Sequence, residues 1–144
     1  MLKMFFAAFI ASCTLLGGLT VSTAHAAGDG YAHHLVLHVD DNDAGKMNLA
    51  LNNAANVSKS FAAKGEKVQI EIVAYGPGLH MLRTDSSPSF PNVTFAACGN
   101  TIKGMTKKEG KAPQIIESDS ISVVPSGVVQ IMMRQDQGWH YLKP

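Results

Sequence analysis

The sequence predicts an α/β fold, a three-layer α/β/α sandwich around a mostly parallel sheet of four to five strands. Short β-rich runs alternate along the chain with segments of helical character, and this alternation joins parallel strands through right-handed crossovers. Gly, Pro and acidic turn residues follow the strand-like runs. The predicted strands span residues 33–39, 67–75, 93–97, 121–124 and 139–142.

The strands are predicted from their apolar and β-branched content and from the turns that end them. The first, HHLVLHV, stops at the turn cluster DDND. The second places Val68, Ile70, Ile72 and Ala74 on one face by strict alternation and ends at GPG. The third, VTFAA, leads into a cysteine, and the fourth, ISVV, stops at PSG.

Two helices have the clearest patterns. Residues 46–64 carry one apolar stripe at helical spacing, and Gly65 stands where a helix stop is expected. Residues 128–137 are apolar nearly all round, so this helix is expected to be buried in the subunit core or between subunits. The remaining segments are assigned as a helical turn at 79–83, a Ser- and Pro-rich loop at 85–91 and a lysine-rich helix at 101–109.

The N-terminus is predicted to be a cleavable signal peptide over residues 1–26. One positive charge precedes an apolar stretch that is short for a membrane span, and AHA ends at Ala26, after which a signal peptidase cuts. We therefore expect a periplasmic or secreted protein with a loose leader at 27–32 and one domain at 33–144. The run IASC raises the alternative of a lipid-bearing Cys13, although the apolar stretch before it is short for that.

Charge and motifs narrow the classes of function. Without the signal peptide and its single lysine, 11 basic residues balance 11 acidic residues. Nothing therefore predicts binding to nucleic acid or, after signal cleavage, to a membrane surface. The sequence shows no Ser-His-Asp arrangement, catalytic carboxylate pair or nucleotide motif. A carrier or binding protein is favoured over a turnover enzyme.

The ends of the four main strands are expected to meet at one edge of the sheet, because the carboxyl ends of parallel strands lie together. The crevice there would be lined by His38, Asp40, Gly76, Pro77, Gly78, Pro125, Ser126 and Gly127. The Gly- and Pro-rich runs could hold an anion with backbone amides, but tight strand-to-helix turns explain them as well, and we favour the turns.

Cys98 is the candidate reactive residue, because it is the sole cysteine left after cleavage and an unpaired thiol is unusual in an oxidising compartment. Gly99 and Asn100 follow it and could open a helix that supports the thiolate. The unpaired N–H groups and the dipole at a helix start favour this anion, which is the form that attacks sulfur. The alternative is that Cys98 is a small buried hydrophobic residue at a strand end.

No dedicated metal site and no cofactor are predicted. His34 and His38 share a strand face but stand about 13 Å apart at 3.3 Å per residue, too far for one ion. His38 and Asp40 could meet Cys98 at the strand ends in a mixed site. We expect His38 instead to be structural or a proton partner of the thiol.

Four pieces of the sequence, taken in order, resemble the DsrE/DsrF-like (YchN-like) family of small sulfur-relay proteins. They are LNNAAN, EIVAYGPG, FAACGNT around Cys98, and the tail VVPSGVV followed by QDQGWHYL. The resemblance covers essentially all of residues 33–144. It implies a mostly parallel five-stranded sheet, assembly into trimers or hexamers, and a role for Cys98 as a carrier of sulfane sulfur in a persulfide.

Two features depart from that family. Residues 85–91 match a helix poorly where a crossover helix is usual, so one face of the sheet is expected to be thinly covered. The export signal also separates this chain from the cytoplasmic relays.

We therefore expect an exported, homo-oligomeric thiol protein that carries sulfane sulfur or takes part in thiol redox through Cys98. A sulfur donor or acceptor protein would be its partner. The alternative is a non-catalytic oligomeric module that binds a small ligand and in which the cysteine is incidental.

Overall fold

Five parallel strands form one sheet in the computed structural model, which describes residues 30–85 and 93–144. The strands are β1 (His33–Val39), β2 (Val68–Ala74), β3 (Thr94–Cys98), β4 (Ile121–Val124) and β5 (His140–Leu142). The helices are α1 (Ala44–Ala62), α2 (Gly99–Glu109) and α3 (Gly127–Asp136), with a 3-10 helix at Gly76–Leu82. The predicted α/β class and its parallel sheet are confirmed.

The strand order is β4-β3-β2-β1-β5, and every neighbouring pair is parallel. The chain moves in one direction from β1 to β4, so α1, the 3-10 helix and α2 lie on one face of the sheet. The return from β4 to β5 places α3 on the opposite face. Two separate hydrophobic clusters, one on each face, follow from this arrangement.

α1 begins at Ala44, two residues before the predicted start. The Asp43 carboxylate accepts a hydrogen bond from the Lys46 backbone N–H at 2.8 Å, which satisfies one unpaired donor of the first turn. The helix buries Ala50 and Ala54 completely against the sheet. Small side chains at these positions let the helix axis approach the strands closely.

The β2–β3 connection contains a seven-residue 3-10 helix where the sequence predicted only a turn at 79–83. Pro77 lies in its first turn, and Leu79, Met81 and Leu82 are fully buried. The face expected to be thinly covered by this connection is therefore packed by it. Of the predicted loop at 85–91 only Asp85 is described, and its carboxylate pairs with Arg83 at 3.1 Å.

α3 has its polarity reversed relative to an ordinary surface helix. Its sheet-facing positions are Gly127, Gln130, Ile131 and Arg134, at the spacing of one helical stripe. Its outward face carries four apolar side chains that are 51–58% exposed: Val128, Val129, Met132 and Met133. The helix is not buried in the subunit core, which was one of the two predicted locations.

The predicted signal peptide, its cleavage site after Ala26, the alternative at Cys13 and most of the leader lie outside the described residues. Within the described ranges, none of the helices combines the length and the apolar character needed to cross a membrane.

Candidate functional site

The Cys98 thiol lies at the junction of two helix starts. Cys98 is the last residue of β3 and the N-cap of α2, with 5% of its surface exposed. Its side chain is on the sheet face that α3 covers, because Ala96 on the same strand face belongs to the cluster beneath that helix. The predicted helix start after Cys98 is therefore present, and the first residue of α3 also reaches the thiol.

Four groups that can donate hydrogen bonds act on the sulfur, and one of them, the Asn100 N–H, is shared with the Pro125 carbonyl oxygen. Burial raises the pKa of the Cys98 thiol, but the Thr101 hydroxyl and the backbone N–H groups of Gly127, Thr101 and Asn100 lower it. The donors outweigh burial, and the pKa lies below the ordinary value for a cysteine. The thiolate is stabilised by hydrogen bonds to the anion, as at other helix N-termini.

Close backbone contacts hold the two helix starts together. A side chain at Gly99 would place its Cβ 3.0 Å from the Val124 carbonyl oxygen, so the two turns meet through bare backbone. The Asn100 N–H donates to the Pro125 carbonyl oxygen at 3.2 Å. Pro125 and Ser126 thus position the start of α3 beside the start of α2, and Ser126 is the N-cap of α3.

Gly127 packs against Tyr75, the residue that follows β2. A Cβ at Gly127 would lie 3.0 Å from the Tyr75 Cβ and 3.2 Å from Val73 Cγ1. Only a glycine lets the first turn of α3 approach this surface without displacing it. The glycine therefore brings a backbone donor within reach of Cys98.

An ion pair between a half-buried arginine and a buried carboxylate joins α3 to the middle of the sheet. Arg134 donates from Nε and Nη2 to the two Glu71 carboxylate oxygens at 2.8 and 2.9 Å, and Gln130 Nε2 donates to the same carboxylate at 3.0 Å. Glu71 is 4% exposed. The Arg134 guanidinium also lies 4.4 Å from the centre of the Trp139 ring. We call Glu71, Gln130 and Arg134 the clamp.

His38 and Asp40 belong to a second polar cluster on the other side of Tyr75. The His38 ring stacks on the Tyr75 ring at a centroid distance of 4.7 Å, and its Nδ1 lies 2.8 Å from the Tyr141 hydroxyl. Its Nε2 faces the Asp40 carboxylate at 3.4 Å, a poorly aligned contact that leaves this nitrogen without a hydrogen bond in the described part of the chain. The Lys143 ammonium donates to Asp40 at 2.8 Å.

Charge and burial act in opposite directions on this cluster. Burial lowers the pKa of His38 below its ordinary value, and the neighbouring Asp40 carboxylate offsets only part of that effect. The hydrogen bond from Lys143 holds the pKa of Asp40 below the usual range. At neutral pH His38 is therefore neutral, and its ring contacts Tyr75 rather than the thiol.

Gly76 and Pro77 line a separate open groove of about 460 Å³ between the 3-10 helix and α2. Thr101 joins this groove to the thiol, because its hydroxyl oxygen accepts the Gly76 N–H at 2.8 Å. Gly78 lines neither site and instead packs on the backbone of Val39. The predicted crevice is thus divided into the surroundings of the Cys98 thiol, a His38 cluster and a groove.

The described residues contain no group of three His, Cys, Asp or Glu side chains arranged to hold a metal ion. His38 and Asp40 do come together, but the third predicted member of a mixed site, Cys98, lies beyond Tyr75.

From the sequence, Tyr75 was placed at the sheet edge without a role, and no role was assigned to Thr101 or to the clamp. Thr101 is the third residue of α2, where a hydroxyl can reach back to the N-cap, and a Gly-Asn-Thr run after a cysteine carries that signal. Tyr75 follows β2 immediately, so its place at the sheet edge was available from the strand prediction. The clamp needs the strand order, which no local pattern gives.

No family model and no curated protein matches this sequence. Among solved structures, a protein of unknown function from Methanobacterium thermoautotrophicum, MTH1491, is similar. The two share 32% sequence identity and superpose with a TM-score of 0.65. The alignment covers 78% of this chain and 99% of that one.

Proposed function

This chain belongs to the same family as the Methanobacterium thermoautotrophicum protein MTH1491, and we propose that it is an exported, DsrE/DsrF-like carrier of sulfane sulfur. Cys98 is the covalent site. The protein accepts a sulfur atom as a persulfide and passes it on, while its partners supply the remaining chemistry.

The observation that carries this proposal is the set of donors around Cys98. An incidental buried cysteine needs no hydrogen bonds, because a thiol is among the most readily buried groups. Here one hydroxyl and three backbone N–H groups, drawn from the starts of two helices, all lower the pKa of the same sulfur. Such an arrangement favours an anion on sulfur, which is the state that both a nucleophile and a persulfide require.

The proposed step is a sulfur transfer without net oxidation. The Cys98 thiolate attacks the terminal sulfur of a donor persulfide, R–S–SH. A sulfur–sulfur bond forms to Cys98 as the donor's own sulfur–sulfur bond breaks, and the donor leaves as the thiolate R–S⁻. The proton stays on the transferred sulfur and is lost when the persulfide ionises. The same reaction in reverse delivers the sulfur to an acceptor thiolate.

The direct test is the rate of Cys98 alkylation across pH in the mature chain and in two variants. Thr101→Val removes the hydroxyl donor and should move the alkylation profile to higher pH. Thr106→Val is the matched control, because Thr106 lies on the same helix and its hydroxyl donates to the Ile102 carbonyl at 2.8 Å, away from the thiol. Its profile should follow that of the unaltered protein.

The result that would contradict the proposal is an alkylation profile of an ordinary thiol, rising only near pH 8.5–9, together with no persulfide after exposure to polysulfide. That result would favour the alternative, a non-covalent binding module. Cys98→Ser supplies the blank for both measurements.

The outward face of α3 supports homo-oligomeric assembly, most simply a trimer or a hexamer built from trimers. Four adjacent half-exposed apolar side chains on one helix are unusual for a monomer, whose large apolar patches commonly mark interaction sites. The near-zero net charge of the mature chain offers little repulsion between copies. Light scattering at micromolar concentration tests this, and the mass of a single chain would contradict it.

Export is the remaining part of the proposal, and it rests on residues 1–26. Mass spectrometry of the protein recovered from the periplasm or medium should find Ala27 as the first residue. A lipid-modified Cys13 would contradict cleavage after Ala26. An exported carrier must meet its donor outside the cytoplasm, as a polysulfide or as another exported thiol protein.

A further inference from the structure

We propose that the clamp, formed by Glu71, Gln130 and Arg134, is a positioning device for Cys98: it fixes α3 on the sheet so that the Gly127 N–H points at the sulfur. This inference rests on the proposed function, because it concerns the reactivity of the same thiol. It assigns a role to an ion pair about two helical turns away.

The geometry of α3 supports this role. Gly127, Gln130 and Arg134 lie at positions i, i+3 and i+7, so they share the stripe that faces the sheet. Only Gly127 and Ile131 on this helix are buried. Apolar packing beneath α3 comes mainly from Ile131, and the clamp adds the directional hydrogen bonds that set how the helix sits on the sheet.

The clamp also has the rigidity that positioning requires. A guanidinium that binds both oxygens of a carboxylate fixes orientation as well as distance. The guanidinium also lies over the Trp139 ring, 4.4 Å from the ring centre, and this contact restricts its movement. Glu71 is in the middle of β2, which pairs with strands on both sides, so its own position is fixed by the sheet.

The first turn of α3 is the pivot about which the helix would tilt if the clamp were lost. Gly127 is in tight contact with Tyr75 and Val73. The carbonyl oxygen of Pro125, two residues earlier, accepts a hydrogen bond from the Asn100 N–H. A tilt of α3 moves the Gly127 N–H relative to the sulfur, while the donors of α2 stay in place. Loss of the clamp should therefore weaken one donor out of four rather than abolish the site.

The experiment measures the midpoint of the Cys98 alkylation profile against pH in three single variants. Arg134→Lys keeps the positive charge but loses the two-point contact, and Gln130→Leu loses the third hydrogen bond while Glu71 stays paired. Gln137→Ala is the control, because it removes a separate contact of Arg134 at 3.1 Å and leaves Glu71 untouched. Urea unfolding is recorded for each variant.

Arg134→Lys and Gln130→Leu should each move the midpoint to higher pH and lower the thiolate fraction at neutral pH by about two- to threefold, the effect of weakening one helix-end donor to an anion. Gln137→Ala should leave the midpoint unchanged. A clamp that only stabilises the fold would lower the urea midpoint and leave the profile in place, and that outcome overturns the inference.

The failure of this inference can be told apart from the failure of the proposed function. If the unaltered protein has the profile of an ordinary thiol, the carrier itself is wrong. If its profile lies at low pH and remains there in both variants, only the positioning role is wrong. Should Arg134→Lys fail to fold, Gln130→Leu alone decides, because it leaves the ion pair complete.

Discussion

Replacing Gly78 with alanine should destabilise the protein severely, although this residue lies in a turn beside the proposed site. A Cβ at Gly78 would lie 2.1 Å from the Val39 carbonyl oxygen, 2.5 Å from the Val39 carbonyl carbon and 2.8 Å from the Asp40 backbone nitrogen. All three atoms are backbone, so no flexible side chain can yield. The 3-10 helix must move away from the end of β1 by about 1 Å, and the fully buried Leu79 and Met81 must move with it.

The expected cost is about 3 kcal/mol or more, at the upper end of the range for overpacked interiors, because backbone must move against backbone. For a domain of this size that corresponds to a fall in Tm of roughly 10 °C. Gly104→Ala is the matched control, since a Cβ at Gly104 on α2 meets nothing within 4 Å. The free energy of unfolding of this control should rise by about 0.5–1 kcal/mol, because alanine is favoured over glycine inside a helix.

Thermal and urea unfolding by circular dichroism measure both variants, at one protein concentration because assembly affects Tm. If the free energy of unfolding of Gly78→Ala lies within about 1 kcal/mol of that of the unaltered protein, the reasoning about the packing of this turn is wrong.

Three further predictions concern the pH dependence of stability, assembly through α3, and the backbone donor at Gly127. Burial lowers the pKa of His38 in the folded state, so the unfolded chain binds this proton more readily and stability should fall as pH drops below about 6.5. His38→Gln should weaken the dependence of the unfolding free energy on pH, measured by urea unfolding, and the exposed His140→Gln should not. The same pH dependence in both variants and in the unaltered protein would contradict the effect. Met132→Glu places a charge on the exposed apolar face of α3, so it should reduce the mass seen by light scattering without changing the circular dichroism spectrum. Asn52→Glu adds the same charge at an exposed position of α1, on the opposite face of the sheet, and should leave the mass unchanged, so a loss of assembly in both variants would argue against a specific interface. Gly127→Ala should slow Cys98 alkylation at neutral pH several-fold, because the added Cβ is 3.0 Å from Tyr75 Cβ and displaces a donor; unchanged kinetics would show that this donor does not act on the thiol.

Local patterns were sufficient for the fold class. The alternation of Val68, Ile70, Ile72 and Ala74 places all four on the face that packs against α1, and this apolar alternation is why β2 was found from sequence. The start of α1 was misplaced by two residues because the apolar stripe begins later than the Asp43 cap. Asp43 is a residue type that commonly caps helix starts, so the sequence did contain a signal for the earlier start.

α3 shows the limit of periodicity. Its valines and methionines predict burial in the subunit core or between subunits, and the structure excludes the first location, because they face outward while the sheet side carries Gln130 and Arg134. This inversion is possible because Glu71 on β2, separated from α3 along the chain by β3 and β4, offers a buried carboxylate. A hydrophobic pattern records which residues avoid water, not which of several apolar environments they occupy.

The site was predicted in part. Cys98, Gly99, Asn100 and Gly127 do come together, because parallel strands bring their carboxyl ends to one edge. The pairing of His38 with Tyr141 was not predictable, since it depends on β5 lying beside β1 and the two residues are 103 positions apart. Thr101 was overlooked although its place in the first turn after Cys98 gave its hydroxyl a way to reach back to the thiol.

The most direct test of the central claim is the intact mass of the mature protein after exposure to inorganic polysulfide and removal of the excess. The account predicts a gain of one sulfur atom on Cys98, reversed by a thiol reductant and absent in Cys98→Ser. The gain should form faster in Thr106→Val than in Thr101→Val, because only the second variant loses a donor to the thiolate. An unaltered mass in the native protein, with Cys98 still alkylated after unfolding, would contradict the account.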